Sequence, residues 1–310
     1  MFLRLTWSLT LVLLSGPIAA QAATPTGASA LTQARIGFKT ELVRPGDKEP
    51  AVPAPPKGVL NLVRFESPVG RLAAYVTPDP GDGKKHPAIV WITGGDSNSL
   101  GEMWSPKPRG DDQSAAAYRK AGVVTMFPSL RGGNDNPGKR EGYLGEIDDV
   151  IAAANYLASL PYVDPHRIYL GGHSTGGTIA MLVAESTSMF QAVFAFGPVS
   201  NPNNYGTSLI YHSPDNARES ALRSPIGWMD SVKRPLFVLE GAMDGNMDDL
   251  REMAKANKNP MIRFLPVPRK SHFSILAPAN ELIASKILTQ PEIAPEKMLT
   301  EADALAIGTR

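Results

Sequence analysis

The sequence contains no cysteine, and this absence excludes several kinds of chemistry. The chain can form no disulfide bond, has no thiol nucleophile and offers no thiolate ligand to a metal. An excess of charge is lacking too, because 31 basic and 30 acidic residues leave a net charge of +1. With no sustained basic run, the sequence gives no reason to expect a nucleic acid or an acidic membrane surface as a partner.

Long hydrophobic runs are also missing, and the most apolar stretch lies near the N-terminus. Residues 5–18 are short for a membrane span and are interrupted by polar or turn-forming residues at 15–17. They follow the positive charge of Arg4 and precede a small-residue site at 20–22, which is the order of a secretory signal peptide. We predict cleavage after Ala22 and a secreted or periplasmic protein without stable membrane association, with an uncleaved anchor as the alternative.

Motifs for metals and nucleotides are absent as well. The sequence has no cluster of metal ligands, and the pair Gly132-Gly133 lacks the lysine and hydroxyl residue that complete a phosphate-binding loop. We therefore expect no metal and no cofactor.

The residues that are present predict one large α/β domain. Hydrophobic residues make up 43% of the 310 positions, and predicted strands alternate with predicted helices, which favours a parallel sheet with helices on both faces. We predict a proline-rich linker or loose arm at 23–57, the α/β domain at 58–290 with a small cap at about 197–233, and a polar tail at 291–310 with a short helix at about 301–307.

The most informative motif is Gly-Gly-His-Ser-Thr-Gly-Gly at 171–177. It lies between an apolar run at 167–170 and a helix-like run at 178–184. This frame is typical of a nucleophile elbow, a strained turn between strand and helix that exposes a serine hydroxyl and directs backbone N–H groups towards a developing oxyanion. The motif predicts Ser174 as a nucleophile.

A nucleophilic serine needs a base and an orienting carboxylate, which follow an elbow of this kind in the order Ser, Asp, His. Asp244 comes just after a predicted buried strand at 235–241, and His272 follows the next predicted strand at 261–267. We predict that neutral His272 accepts the proton of Ser174 while Asp244 fixes the tautomer of the imidazole.

Other titratable residues compete for these roles. His212, in a polar loop, is the rival base, whereas the His173 side chain is expected to point away from the nucleophile and to pack. Asp248 and Asp249 compete with Asp244, but a following helix would carry them away from the strand end, where they would favour the helix dipole.

The oxyanion hole is predicted from two backbone N–H groups. One belongs to Thr175, the residue after the nucleophile. The other comes from the loop after a predicted strand at 87–92, where we expect the N–H of Gly95 or Asp96 to serve.

These motifs are accompanied by others in a recognisable order, and together they cover about residues 58–289. They are Thr93-Gly94-Gly95-Asp96, Arg131-Gly132-Gly133, Gly145-Glu146-Ile147-Asp148-Asp149, Val163-Asp164-Pro165-His166-Arg167-Ile168 and Arg223-Ser224-Pro225-Ile226. The combination resembles the α/β-hydrolase superfamily, in the branch of the prolyl oligopeptidases and dienelactone hydrolases.

The resemblance implies an α/β-hydrolase fold with a mostly parallel eight-stranded sheet, helices on both faces and a small cap. It also implies a serine hydrolase or peptidase. Thr93 stands where that branch often has histidine, and no β-propeller is expected before the catalytic domain, so gated cleavage of oligopeptides is not carried over.

Substrate contacts are expected in the cap and at one strand end. Residues 201–205, Tyr211 and Trp228 are candidates for the pocket, with simple packing of the cap as the alternative. Arg131 either binds a substrate carboxylate or forms a structural ion pair.

We predict a serine hydrolase that cleaves an ester or peptide bond of a small substrate through an acyl-enzyme. A prolyl-oligopeptidase-like peptidase is the alternative, and a hydrolase-fold protein that binds without turnover is a third hypothesis. Small esters are expected to be cleaved better than amides, because amide cleavage also requires protonation of a poor leaving group.

Overall fold

The computed structural model describes residues 28–44, 46, 49–105, 107–289 and 294–310. The predicted signal peptide lies outside these residues, so its cleavage stays a prediction. Within the described ranges, no helix combines the length and the apolar character that crossing a bilayer requires.

Eight strands of the described chain form a single sheet. They are β1 (Asn61–Ser67), β2 (Gly70–Val76), β3 (His86–Ile92), β4 (Val124–Pro128), β5 (Val163–His173), β6 (Val193–Phe196), β7 (Leu236–Gly241) and β8 (Ile262–Val267). Their order is β1-β2-β4-β3-β5-β6-β7-β8. β2 pairs antiparallel with β1 and β4, and the remaining pairs are parallel, which confirms the predicted α/β-hydrolase sheet.

Helices cover both faces of this sheet. They are α1 (Ala30–Arg35), α2 (Ala116–Ala121), α3 (Glu146–Ser159), α4 (Thr175–Ser186), α5 (Ala217–Arg223), α6 (Met247–Ala256), α7 (Leu276–Thr289) and α8 (Glu301–Thr309). Alternate side chains of a strand point to opposite faces, so Val90 of β3 packs in the core with α3, α4 and α6, while Trp91 packs in the core with α2, α7 and α8.

The parallel strands bring several loops to one edge of the sheet. Because β3, β5, β6, β7 and β8 run in the same direction, the loops that follow them are neighbours at their carboxyl ends. This is the edge at which open α/β sheets bind ligands.

The N-terminal arm is packed where the structure describes it. Leu31 of α1 is fully buried, Arg35 forms an ion pair with Asp148 at 2.8 Å, and Leu42 forms a β-bridge with His212 of the cap. The prediction of a loose arm is wrong for these residues, because Leu31 and Val52, the latter between Pro50 and Pro53, are buried in the core of the domain.

The C-terminal helix extends the one expected near 301–307. At its start, Thr300 and Asp303 form a capping box in which each side chain accepts the other's backbone N–H. Ile307 is buried, and Lys286 of α7 donates to Asp303 at 2.6 Å, so this part of the tail belongs to the packed domain.

Glu185 of α4 is an unusual core residue. Its side chain is fully buried, and neither carboxylate oxygen has a hydrogen-bond partner among the described residues. Burial raises the pKa of this carboxyl well above its ordinary value of 4.5, so the folded protein holds a proton that the unfolded chain releases above that pH.

We expect this proton to make stability depend on pH. As pH rises above the unfolded pKa, Glu185 should lower the free energy of unfolding by up to about 1.4 kcal/mol per pH unit until its folded pKa is reached. Glu185→Gln should remove this slope, so its stability advantage over the natural chain should grow from pH 5 to pH 8 in urea unfolding. Glu66→Gln, whose side chain is 80% exposed, is the control. An advantage for Glu185→Gln that does not change with pH would contradict the expectation.

Candidate active site

Ser174 occupies the sharp turn between β5 and α4. Its backbone angles are φ 53° and ψ −116°, a conformation that few residues other than glycine adopt. The turn is also crowded, because a Cβ at Gly172 would lie 2.3 Å from the carbonyl oxygen of Gly176, and a Cβ at Gly176 would lie 2.4 Å from that of Ile92. The predicted elbow geometry is therefore present.

His272 lies in the loop after β8, and its ring is oriented by Glu240. The distance between His272 Nδ1 and Glu240 Oε2 is 2.8 Å. The Glu240 carboxylate is fully buried, and its oxygens also accept the N–H groups of Gly241 at 2.7 Å and Asn246 at 2.9 Å. A carboxylate held in this way selects the tautomer with a proton on Nδ1 and leaves Nε2 as the basic nitrogen.

Asp244 has a different position from the one predicted. Its Oδ1 accepts the backbone N–H of His272 at 2.7 Å, so it fixes the main chain of the loop rather than the ring. The prediction that Asp244 orients the imidazole is wrong in this structure, where Glu240 makes that contact. The missed signal was an acidic residue inside the apolar run of β7, where an unneutralised carboxylate needs a specific partner.

Two glycines enclose the His272 ring. A Cβ at Gly197, after β6, would lie 2.4 Å from His272 Cε1, and a Cβ at Gly245 would lie 2.8 Å from His272 Cβ. Both glycines have positive φ, 55° and 81° respectively. Any side chain here would displace the imidazole from Glu240.

His173 packs against this loop, with its ring centroid 4.4 Å from that of His272. Its Nε2 donates to the backbone oxygen of His272 at 3.0 Å, and the Gln113 amide donates to its Nδ1 at 2.8 Å. Burial, with a smaller contribution from His272, lowers the pKa of His173 to about 3, so this histidine is neutral and holds one tautomer.

The loop at residues 93–97, here termed the oxyanion loop, is fixed against the elbow. The N–H of Gly94 donates to Gln113 Oε1 at 3.3 Å, and the Thr175 hydroxyl donates to the carbonyl oxygen of Gly95 at 2.9 Å. The N–H groups of Gly95 and Asp96 donate to no residue in the described part of the chain. Thr175, as the first residue of α4, also has an N–H without an acceptor in the helix.

A cavity of about 370 Å³ lies beside the oxyanion loop. Tyr143 on its wall stacks on Tyr205 at 5.9 Å, and the Tyr205 hydroxyl bonds to Thr178 at 2.9 Å and lies beside the Ser174 side chain. The cavity thus approaches the nucleophile through Tyr143 and Tyr205, and Ser174 and His272 are not among its lining residues. Its polar lining includes Arg44, Glu49, Asp96, Ser97, Asn98, Arg140, Ser208 and Tyr211, with Ile179 and Leu209 as its larger apolar members.

Of the three residues predicted to bind substrate, one lines the cavity and two make structural contacts. Tyr211 lines the cavity, and its contact with substrate stays a prediction. Trp228 packs on the cap, donating from Nε1 to the Ala221 carbonyl oxygen at 2.8 Å. Arg131 is buried and pairs with both oxygens of Asp149, from Nε at 2.9 Å and from Nη2 at 3.0 Å, so it takes the structural role that was the alternative.

The rival titratable residues lie elsewhere. His212 is fully buried within the cap, and burial lowers its pKa to about 4, with a smaller effect from Arg223. Asp248 pairs with Arg251 on the surface of α6, and Asp249 accepts from the Ser200 N–H at 2.8 Å. None of these contacts involves Ser174 or His272.

Comparison with known proteins places this geometry in context. The sequence profile described as "Prolyl oligopeptidase family" matches residues 110–280, more than half of the chain. The dipeptidyl-peptidase 5 of Porphyromonas gingivalis is 23% identical over 245 residues, which are 69% of this chain and 34% of the relative. A probable dipeptidyl-aminopeptidase B of Talaromyces marneffei is 29% identical over 177 residues, covering 53% of this chain and 19% of the relative.

Solved structures share the fold. A puromycin-hydrolyzing peptidase of Mycobacterium tuberculosis superposes with a TM-score of 0.60 at 21% identity, over 74% of this chain and 40% of that one. An acylaminoacyl peptidase in complex with a peptide chloromethyl ketone superposes with a TM-score of 0.57 at 20% identity, over 80% of this chain and 43% of that one. Of the two relatives found by sequence, the dipeptidyl-peptidase 5 and the dipeptidyl-aminopeptidase B, the chain spans about a third or less of the length.

Proposed function

The chain belongs to the prolyl oligopeptidase family, and we propose that it is a serine peptidase that hydrolyses short peptides and related esters through an acyl-enzyme. The observation that carries the proposal is the strained Ser174 turn at the same sheet edge as the His272–Glu240 pair. Because the chain covers only part of the length of its relatives, their activity and substrates are proposals for this protein.

In the first half of the proposed reaction, His272 Nε2 takes the hydroxyl proton of Ser174 as Oγ attacks the substrate carbonyl carbon. Glu240 stabilises the resulting imidazolium through Nδ1–H without accepting its proton. The N–H of Thr175, with that of Gly95 or Asp96, donates to the negative oxygen of the tetrahedral intermediate. The imidazolium then gives its proton to the leaving amine or alcohol as that bond breaks.

In the second half, water replaces the departed group. His272 removes a proton from the water as its oxygen attacks the acyl carbon, and the same proton returns to Ser174 Oγ when the ester to the enzyme breaks. The products are a carboxylic acid and the free enzyme, and no metal or cofactor takes part.

The polar lining of the cavity beside the oxyanion loop determines which kind of acyl group can bind there. Polar and charged side chains predominate on its walls, so a long hydrocarbon chain would desolvate them without offering hydrogen bonds in return. A peptide or aminoacyl group, in contrast, can form hydrogen bonds with these side chains in place of the water that it displaces. We therefore propose polar acyl groups of peptide size as substrates.

A matched substrate series tests this proposal. With one blocked dipeptidyl group, we expect kcat/KM to be larger for the p-nitrophenyl ester than for the p-nitroanilide, because the ester needs less proton donation from His272. The anilide should still be hydrolysed, and the octanoyl ester should be a poorer substrate than the dipeptidyl ester. Ser174→Ala should lower kcat by at least about 10⁴-fold for every substrate of the series. Cleavage of the esters without any cleavage of the anilide would contradict the proposal that the protein is a peptidase.

A further inference from the structure

A buried arginine connects the N-terminal arm to the oxyanion loop. Arg140 is 6% exposed, and its guanidinium bonds to both carboxylate oxygens of Asp96, with Nη2 at 3.0 Å from Oδ2. Nη2 also pairs with the carboxylate of Glu49. Asp96 belongs to the oxyanion loop and Glu49 to the arm, so one side chain joins the two segments.

Arg140 makes three further contacts. Nε donates to the Gly132 carbonyl oxygen at 3.2 Å, Nη2 donates to Ser99 Oγ at 2.7 Å, and Nη1 donates to the Tyr211 hydroxyl at 3.5 Å. Ser99 in turn donates to Glu49. An arginine with its N–H groups shared among these acceptors has little capacity left for a substrate carboxylate, although it lines the cavity.

Asp96 adds a side-chain attachment of the oxyanion loop to three others. The N–H of Gly94 holds the loop to Gln113, and both the carbonyl oxygen of Gly95 and the hydroxyl of Ser97, the latter at 2.6 Å, hold it to Thr175 of the elbow. The Asp96 side chain is 42% exposed, and besides Arg140 its Oδ1 accepts, among the described residues, only the nearby N–H of Asn98 at 3.1 Å, so without Arg140 water would replace the ion pair. The Asp96 peptide plane could then rotate and move the N–H groups that face the oxyanion.

We infer that Arg140 is a positioning residue for the oxyanion hole, and that Glu49 of the N-terminal arm acts with it by holding the guanidinium. This inference rests on the proposed function. The arm, although distant from Ser174 in sequence, becomes a part of the enzyme on which the rate depends.

The inference has a kinetic signature. An oxyanion donor acts mainly in the transition state, so a displaced donor lowers kcat more than it raises KM. A residue that only bound substrate in the cavity would instead raise KM. A residue that only stabilised the fold would lower the melting temperature and leave the kinetics of the folded fraction unchanged.

The test compares Arg140→Gln, Arg140→Lys, Glu49→Gln and the Arg140→Gln/Glu49→Gln double variant. Arg71→Gln is the matched control, because it removes an exposed ion pair, with Glu66, on the β1–β2 hairpin. For each, kcat and KM on the dipeptidyl ester, the rate of labelling by a fluorophosphonate and the melting temperature are measured.

Arg140→Gln should lower kcat by about ten- to a hundredfold, since small displacements of catalytic groups have effects of this size. KM should change much less. Glu49→Gln should have a smaller effect of the same kind, Arg140→Lys should recover part of the loss, and the double variant should be no worse than Arg140→Gln. If Arg140→Gln does not fold, Glu49→Gln, with a 28% exposed side chain, decides the question.

Three results would overturn the inference: unchanged kcat in Glu49→Gln and Arg140→Gln, an increase in KM alone, or additive losses in the double variant. A natural chain that neither reacts with the fluorophosphonate nor turns over any substrate would instead refute the proposed function, and the two failures are therefore distinguishable.

Discussion

Ser174→Ala and His272→Ala should each lower kcat by at least about 10⁴-fold, and the double variant should lose no more than either single one. Each substitution removes the same event, the attack of an activated serine oxygen, so the losses cannot add. Turnover measured on the dipeptidyl ester, with circular dichroism to show that each variant folds, checks this expectation.

A fluorophosphonate probe separates catalysis from mere ligand binding. Only a serine activated by a base reacts with such a reagent, so the natural chain should be labelled on Ser174, and both variants should remain unlabelled. His212→Ala, which changes the rival histidine, should be labelled at about the natural rate. Additive losses in the double variant, or labelling of Ser174→Ala, would mean that the nucleophile is misassigned.

Glu240→Gln should lower kcat by about 10²- to 10⁴-fold, whereas Asp244→Asn should cost less than about tenfold. Glutamine fills the same space but can donate to His272 Nδ1, which would favour the tautomer with its proton on Nε2, where the serine proton must go. Asparagine at position 244 keeps an oxygen that can accept the backbone N–H of His272, so the loop should hold its place.

The comparison of these two variants decides which carboxylate orients the base. Both should be measured for kcat, KM and melting temperature, because Glu240 is buried and its replacement could also affect stability. Glu240→Asp restores the charge at a greater distance and should recover only part of the rate. A larger loss in Asp244→Asn than in Glu240→Gln, with both proteins folded, would restore the carboxylate predicted from the sequence.

The nucleophile turn was predictable because its requirements are local. A serine forced to φ 53° needs glycines on either side, a strand before it and a helix after it, and all of these are contiguous in the chain. The carboxylate was not predictable in the same way. Glu240 and Asp244 both lie near the end of β7, and order along the chain does not distinguish them.

The sequence by itself determined the class of chemistry, the sheet and the positions of Ser174 and His272 at strand ends, because hydrophobic periodicity and turn residues act over short distances. Only the tertiary structure decided that Glu240 faces the imidazole ring, since that depends on how the loops after β7 and β8 pack. It also decided that the arm joins Arg140 beside the oxyanion loop. Such contacts arise between distant segments, where a polar side chain finds its partner only when burial brings the two together.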